Sequence, residues 1–142
     1  MILRPQLQDI KIIGQYSGRM ILGLGFLMLI PAATALYFGE KAPLLDFVLS
    51  VSFCLIAGYI LIISCFTRKE LRWKHGMVIV SLSWLLAMFF GALPLYLSRH
   101  WGGYLDACFD AMSGFATTGL TLVQDLDHLS HAHNMWRHLM MY

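Results

Sequence analysis

Three runs without a single charged residue, Met20 to Phe38, Phe47 to Phe66 and Gly76 to Ser98, dominate this chain of 142 residues. At 19, 20 and 23 residues, each has the length of roughly 20 apolar residues that carries a helix across a bilayer. Helix is the expected form, because backbone polar groups facing lipid must bond within their own segment. Composition agrees: 58% of residues are hydrophobic, 13% are charged and the mean hydropathy is +0.67, against about 25% charged in a soluble domain. A core of this size cannot hide so much apolar surface, which excludes a free soluble enzyme and a disordered chain. The net charge of +2 gives no case for nucleic acid. Cys54, Cys65 and Cys108 are odd in number and scattered, forming neither a disulfide framework nor a zinc site. The chain reads as an all-α membrane protein.

The first run could also be the apolar core of a signal peptide, since Arg4, Lys11 and Arg19 precede it and Ala33-Thr34-Ala35 offers a cleavage-like site. It is longer than the roughly 7 to 15 residues of such a core, and two further runs follow it, so an uncleaved span is expected. Orientation follows from lysine and arginine in the short connections. Arg4, Lys11 and Arg19 lie before the first run, and Arg68, Lys69, Arg72 and Lys74 lie between Thr67 and His75, whereas Gly39 to Asp46 holds only Lys41. The expectation is a cytoplasmic N-terminus, a cytoplasmic second loop and an outer side for Gly102 to Asn134. The basic loop around Trp73 is read as topogenic rather than as a nucleic-acid patch.

Tyr104 to Phe115 predicts a short helix with Asp106 and Asp110 four apart. Twelve residues at 1.5 Å make roughly 18 Å, too short to span. The chain is therefore expected to dip in from outside as a re-entrant segment and return. Thr117-Thr118-Gly119-Leu120-Thr121 should then abandon the helix, because threonine is stiff and glycine opens backbone angles closed to other residues. Potassium-channel filters use a T-V-G-Y-G strand whose carbonyls replace the ion's water shell, and a short helix would aim the negative end of its dipole at a cation. An ordinary loop ending a helix is the alternative.

The run Leu105-Asp106-Ala107-Cys108-Phe109-Asp110-Ala111-Met112-Ser113-Gly114-Phe115-Ala116-Thr117-Thr118-Gly119-Leu120-Thr121 resembles the first pore loop of the Trk/Ktr/HKT potassium transporters, most of all the bacterial TrkH/TrkG type. Asp106, Phe109, Asp110, Ser113, Gly114, Thr117, Thr118, Gly119 and Thr121 fall on that pattern, while Ala116 and Leu120 depart from it. Leu126-Asp127 and Trp136-Arg137 resemble the link to the next helix. The resemblance implies four helix–pore loop–helix repeats around one ion path, preceded by two extra helices. Residues 1–75 would then hold the extra pair. Residues 76–142 would hold the first repeat: a third transmembrane helix, a re-entrant pore helix supported by Asp106, Asp110, Ser113 and Gly114, an extended filter strand at Thr117 to Thr121, and the start of a fourth transmembrane helix near Trp136. The chain would be the N-terminal fragment of a longer transporter, holding one quarter of the filter. Potassium would be the transported ion, held by backbone carbonyls at Thr117, Thr118 and Gly119, with no organic cofactor. The remaining repeats, a homodimer in the inner membrane and a cytoplasmic nucleotide-binding regulatory subunit are the implied partners.

Other residues carry weaker signals. His131-x-His133 could bind a transition metal, but a solvated outer loop around His128, His131, His133 and His138 is the expectation, since spacing alone defines no metal geometry. Gly14-x-x-x-Gly18 resembles a close-packing motif, yet its polar surroundings favour an interfacial helix. Gly23, Gly25 and Gly58 suit helix contact. No nucleophile–base pair stands out, so no enzyme is expected. A membrane-embedded enzyme built on Asp106, Asp110 and the histidines, and a small scaffold, remain as rivals to cation transport.

Overall fold

The computed structural model describes residues 7–67 and 73–142. Arg4, Arg68, Lys69 and Arg72, on which much of the orientation expectation rests, lie outside them. The described residues form seven helices and no strand: α1 (Leu7–Leu27), α2 (Leu29–Phe38), α3 (Lys41–Ser64), α4 (Trp73–Gly91), α5 (Leu93–Leu97), α6 (Tyr104–Phe115) and α7 (His131–Met140).

Three stretches are long and apolar enough to cross a membrane: Asp9–Phe38, Lys41–Ser64 and His75–Leu97. Two of them are broken where the sequence suggested continuous helices. Pro31 and Pro94 have no N–H and crowd the carbonyls four residues earlier, at Leu27 and Phe90; α1 gives way to α2 at Met28, and α4 to α5 at Ala92. Side chains from other helices bond to carbonyls around the second break. Tyr104 donates its hydroxyl to Phe89 O at 2.6 Å, and Trp136 donates Nε1–H to Gly91 O at 2.9 Å.

The helix α2 ends at Gly39, whose φ of 70° closes the turn into α3, with Glu40 N–H bonding back to Ala35 O at 2.9 Å. That left-handed position is where a residue without Cβ belongs.

Along their length α1 and α3 approach closely, and here the expectation for Gly14-x-x-x-Gly18 fails. A Cβ on Gly18 would stand 2.8 Å from Gly58 O, one on Gly58 2.9 Å from Gly18 O, and one on Gly14 2.5 Å from Cys65 Sγ. These glycines, with Gly25 against Cys54, let two backbones touch, as small residues do between membrane helices; Gly14 and Gly18 are contact residues rather than part of an interfacial helix. The opposite holds for Gly23, around which a Cβ would meet nothing within 4 Å.

The N-terminal ends of α1 and α4 share one side of the bundle, joined by Asp9 and His75 at 2.9 Å. The α2–α3 turn and the start of α7 share the other. Large apolar residues such as Phe26, Leu36, Ile56 and Val80 are exposed on the outer faces, the arrangement of a protein whose solvent is hydrocarbon.

Candidate functional site

The short helix α6 covers Tyr104–Phe115 as its sequence indicates. Its two acids do different things. Asp106 lies in the first turn, where negative charge complements the helix dipole. Asp110 is only 4% exposed; its Oδ1 accepts the Leu122 N–H at 3.0 Å and its Oδ2 lies 3.4 Å from Arg137 Nε. One carboxylate thus ties α6 to the returning chain and to α7. Ser113 and Gly114 are buried. Gly114 lets α7 come close, since a Cβ there would stand 3.0 Å from Met140 Cβ, and the Ser113 hydroxyl is buried without a partner among the described residues.

The helix ends in a reversal. Thr117 N–H bonds to Gly114 O at 2.8 Å, and Thr118 N–H and Gly119 N–H both bond to Ser113 O, at 2.9 and 3.4 Å. This is the two-bond pattern that closes a helix on a left-handed residue, but that residue is Thr117, at φ 55°. A β-branched side chain there is a genuine outlier, costing on the order of 1–3 kcal/mol and typical of functional positions. Gly119 follows at φ 77°. The segment Thr117 to Thr121 is thus non-helical, as expected, yet not uniformly extended: φ is positive at Thr117 and Gly119 and not at Thr118, Leu120 or Thr121. All five residues are exposed. Among the described residues none of their five carbonyls accepts a hydrogen bond, while the N–H groups of Thr117, Thr118 and Gly119 are satisfied inward by α6. Val123 N–H bonds to Thr121 Oγ1 at 3.2 Å, and Gln124 N–H to His100 O at 3.0 Å. The loop is held from behind by its donors and leaves its acceptors free.

The helix α7 starts at His131, five residues before Trp136, because Ser130 caps it by accepting the His133 N–H at 3.2 Å. Glu40 completes the start from a distance of 91 residues in sequence: Oε1 accepts from His131 N–H and from His131 Nδ1, both at 2.9 Å, and Oε2 accepts from Ala132 N–H at 3.2 Å. Burial alone would raise the Glu40 pKa, but the side-chain and backbone bonds from His131, the Ala132 N–H and the His131 charge together hold it below its ordinary 4.5. His133 corrects the expectation of a solvated loop. It is 1% exposed, donates Nε2–H to Pro94 O at 3.0 Å and accepts from the Ser130 hydroxyl at Nδ1 at 2.7 Å. It staples α7 to the proline break. Among the described residues no three or more His, Cys, Asp or Glu converge as a metal site.

Sequence reasoning missed Arg137 and Glu40 as partners in this site. Arg137 was the signal available: it is the first basic residue after Gly102, and an isolated arginine on a helix following an acidic stretch asks for a buried carboxylate.

A multi-pass helical membrane protein, with a short helix and an acceptor-rich loop braced between its longer helices, is what fold and site define together. The chain belongs to the TrkH family of cation transport proteins, whose profile matches residues 44–141. It is 35% identical over 136 residues to an uncharacterized cation transporter of Methanocaldococcus jannaschii, covering 96% of this chain and 28% of that protein. It is 27% identical over 129 residues to the Trk system potassium uptake protein TrkG of Escherichia coli K12, covering 90% of this chain and 27% of TrkG. Its fold matches the crystal structure of the potassium transporter TrkH from Vibrio parahaemolyticus with a TM-score of 0.83 at 28% identity, over 96% of this chain and 29% of that one. The chain therefore spans under a third of the length of these relatives. The family is one of transporters, which sets aside the membrane-embedded enzyme.

Proposed function

We propose that this chain is the N-terminal section of a Trk-type potassium uptake transporter and that Thr117 to Thr121 supply one quarter of its selectivity filter through backbone carbonyls. The observation that carries the reading is the division of labour in the loop, with the N–H groups of Thr117, Thr118 and Gly119 tied back to α6 and five carbonyls left open on an exposed face. Carbonyl oxygens replace a cation's water shell only when they are not already spent on other donors. The C-terminal end of α6 adds partial negative charge behind them. Asp110, Ser113 and Gly114 support the loop, and Asp106 the start of its helix.

In this reading residues 1–75 are the leading helix pair and residues 76–142 open the first of four repeats, with α6 re-entrant from the outer side and α7 beginning the inner helix. Potassium is the transported ion, passing Thr117, Thr118 and Gly119. The N-terminus is cytoplasmic in an inner membrane, and a second copy and a cytoplasmic nucleotide-binding subunit complete the assembly. The direct test is rubidium and sodium uptake by the full-length protein in cells lacking other potassium systems. Rubidium uptake with rejection of sodium is expected; no uptake of either ion by a well-expressed protein defeats the proposal. Labelling of a cysteine placed at Arg72 from outside intact cells would reverse the orientation.

A further inference from the structure

Each carbonyl of the loop from Thr117 to Thr121 shares a peptide unit with the N–H of the next residue, and in a trans unit the two point in opposite directions. Whatever holds the N–H therefore aims the carbonyl. Ser113 O takes Thr118 N–H at 2.9 Å and Gly119 N–H at 3.4 Å, so the last turn of α6 aims the carbonyls of Thr117 and Thr118. The N–H groups of Leu120 and Thr121 bond to nothing among the described residues. The next one held is that of Leu122, on Asp110 Oδ1 at 3.0 Å. That bond aims the Thr121 carbonyl away from α6 and anchors the far end of the loop. The near end is fixed by backbone, whereas the far end hangs on one side chain.

A side chain holds only as firmly as it is itself held. That of Asp110 is 2% exposed, and its second oxygen faces Arg137 Nε at 3.4 Å. No other acid pairs with Arg137 among the described residues. We infer that Arg137 is a positioning residue for ion selection, fixing through the Asp110 carboxylate the direction in which the Thr121 carbonyl points. The inference rests on Thr117 to Thr121 being a filter and deepens that reading.

Arg137 stands on a helix that is anchored independently of the loop. Its neighbour Trp136 is 1% exposed and donates to Gly91 O at 2.9 Å, and α7 is capped by Ser130 and Glu40. A planar guanidinium also holds a carboxylate in one orientation, where a lysine ammonium on a flexible stem supplies charge alone. Without the guanidinium, a buried charge is left with one N–H donor, too little to offset its desolvation. The carboxylate then turns towards water and lets go of Leu122 N–H, and the peptide unit that carries the Thr121 carbonyl is free to rotate.

The test is the ratio of sodium to rubidium uptake by the full-length protein in cells lacking other potassium systems, with the melting temperature of each variant measured in detergent. Arg137→Gln should raise the ratio several-fold. Arg137→Lys should fall between it and the parent, as charge returns without the fork. Asp110→Asn already lacks the carboxylate charge, so adding Arg137→Gln to it should move the ratio little. Gly18→Val, which disturbs α1 against α3, should lower the melting temperature and leave the ratio at the parent's; a ratio raised there too would make the shift a general effect of instability and overturn the role. A parental ratio in Arg137→Gln, with that of Gly119→Ser shifted, overturns the role of Arg137 and leaves the filter standing. Parental ratios in both remove the filter and the role with it. Where Arg137→Gln does not reach the membrane, Arg137→Lys decides: a ratio above the parent's supports the role, and a parental one overturns it.

Discussion

Asp110 Oδ1 takes the Leu122 N–H at 3.0 Å across a loop of eleven intervening residues, while Oδ2 faces Arg137 Nε at 3.4 Å. The two contacts make α6, the returning chain and α7 one unit, so they stand or fall together. Asp110→Ala removes both, leaving the part-buried Leu122 N–H and a largely buried guanidinium without a partner, a change expected to cost about 3 kcal/mol, most of it from the stranded charge. Asp110→Asn should cost less, since an amide oxygen can still accept from Leu122. Combined with Arg137→Met, Asp110→Asn should cost less than the sum of the two single changes, because the second no longer strands a charge. Melting of the four purified proteins in detergent checks this; strict additivity would show that the pair is not coupled.

Thr117 sits at φ 55° with a β-branched side chain, so the backbone there is held against its own preference. Thr117→Gly should relieve that strain and leave the melting temperature unchanged or higher, even though glycine gains freedom in the unfolded chain. Thr117→Val keeps the strain and should not stabilise. If Thr117→Gly melts well below the parent, the left-handed turn is not where the strain lies.

The spans and the short helix were legible because they depend on run length and local pattern, which the sequence states directly. Proline breaks at Met28 and Ala92 are equally local, written by Pro31 and Pro94, but the length of a charge-free run carries no trace of them. The role of Gly14 and Gly18 was not legible from their own surroundings: polar neighbours suggested an interface, and only the approach of Gly58 and Cys65 from α3 shows why no Cβ fits. His133 shows the same limit. Ser130 is a local partner as the cap of the same helix, but Pro94 O and, 3.6 Å from Nε2, Asp46 Oδ2 are not, and no local spacing relates them to His133.

Glu40 caps α7 as a carboxylate, and its pKa is lowered below 4.5. A group whose pKa is lower folded than unfolded contributes stability that is fully present above the unfolded value and lost as pH falls through the folded one. The parent should therefore lose melting temperature as pH drops below about 4.5, while Glu40→Gln starts lower at pH 7 and changes less over the same window. Parallel pH profiles for the two proteins would assign the acid sensitivity elsewhere.

Gly18 and Gly23 lie on the same helix and invite opposite outcomes. Gly18→Val would put side-chain atoms into Gly58 O, 2.8 Å from the position of the added Cβ, and into Ile62 and Leu61; overpacking of this kind costs about 1–3 kcal/mol. Gly23→Ala meets nothing and should stabilise by about 1 kcal/mol through helix propensity alone. Melting temperatures that move in the same direction for both would undo the close approach of α1 and α3.

Gly119 gives the sharpest test of the loop. Its φ of 77° is closed to most side chains, although an added Cβ would have room, the nearest atom being Met141 Cε at 3.4 Å. Gly119→Ser therefore acts through the backbone: the residue either accepts roughly 1–2 kcal/mol of left-handed strain or turns its peptide planes, which moves the carbonyls of Thr118 and Gly119. Leu122→Ala removes side-chain packing at an exposed position and leaves the Leu122 N–H on Asp110. In the full-length protein Gly119→Ser should lower rubidium uptake or admit sodium, and Leu122→Ala should do neither. Asp125→Asn separates geometry from charge. Asp125 is exposed and bonded to His128, so its charge can act on ions only through a screened local potential; its effect should be small and fade as ionic strength rises, while that of Gly119→Ser persists. Rubidium and sodium uptake at two ionic strengths, with expression checked for each variant, reads all three. Parental transport of both ions by Gly119→Ser would mean that the carbonyls of this loop do not select the ion.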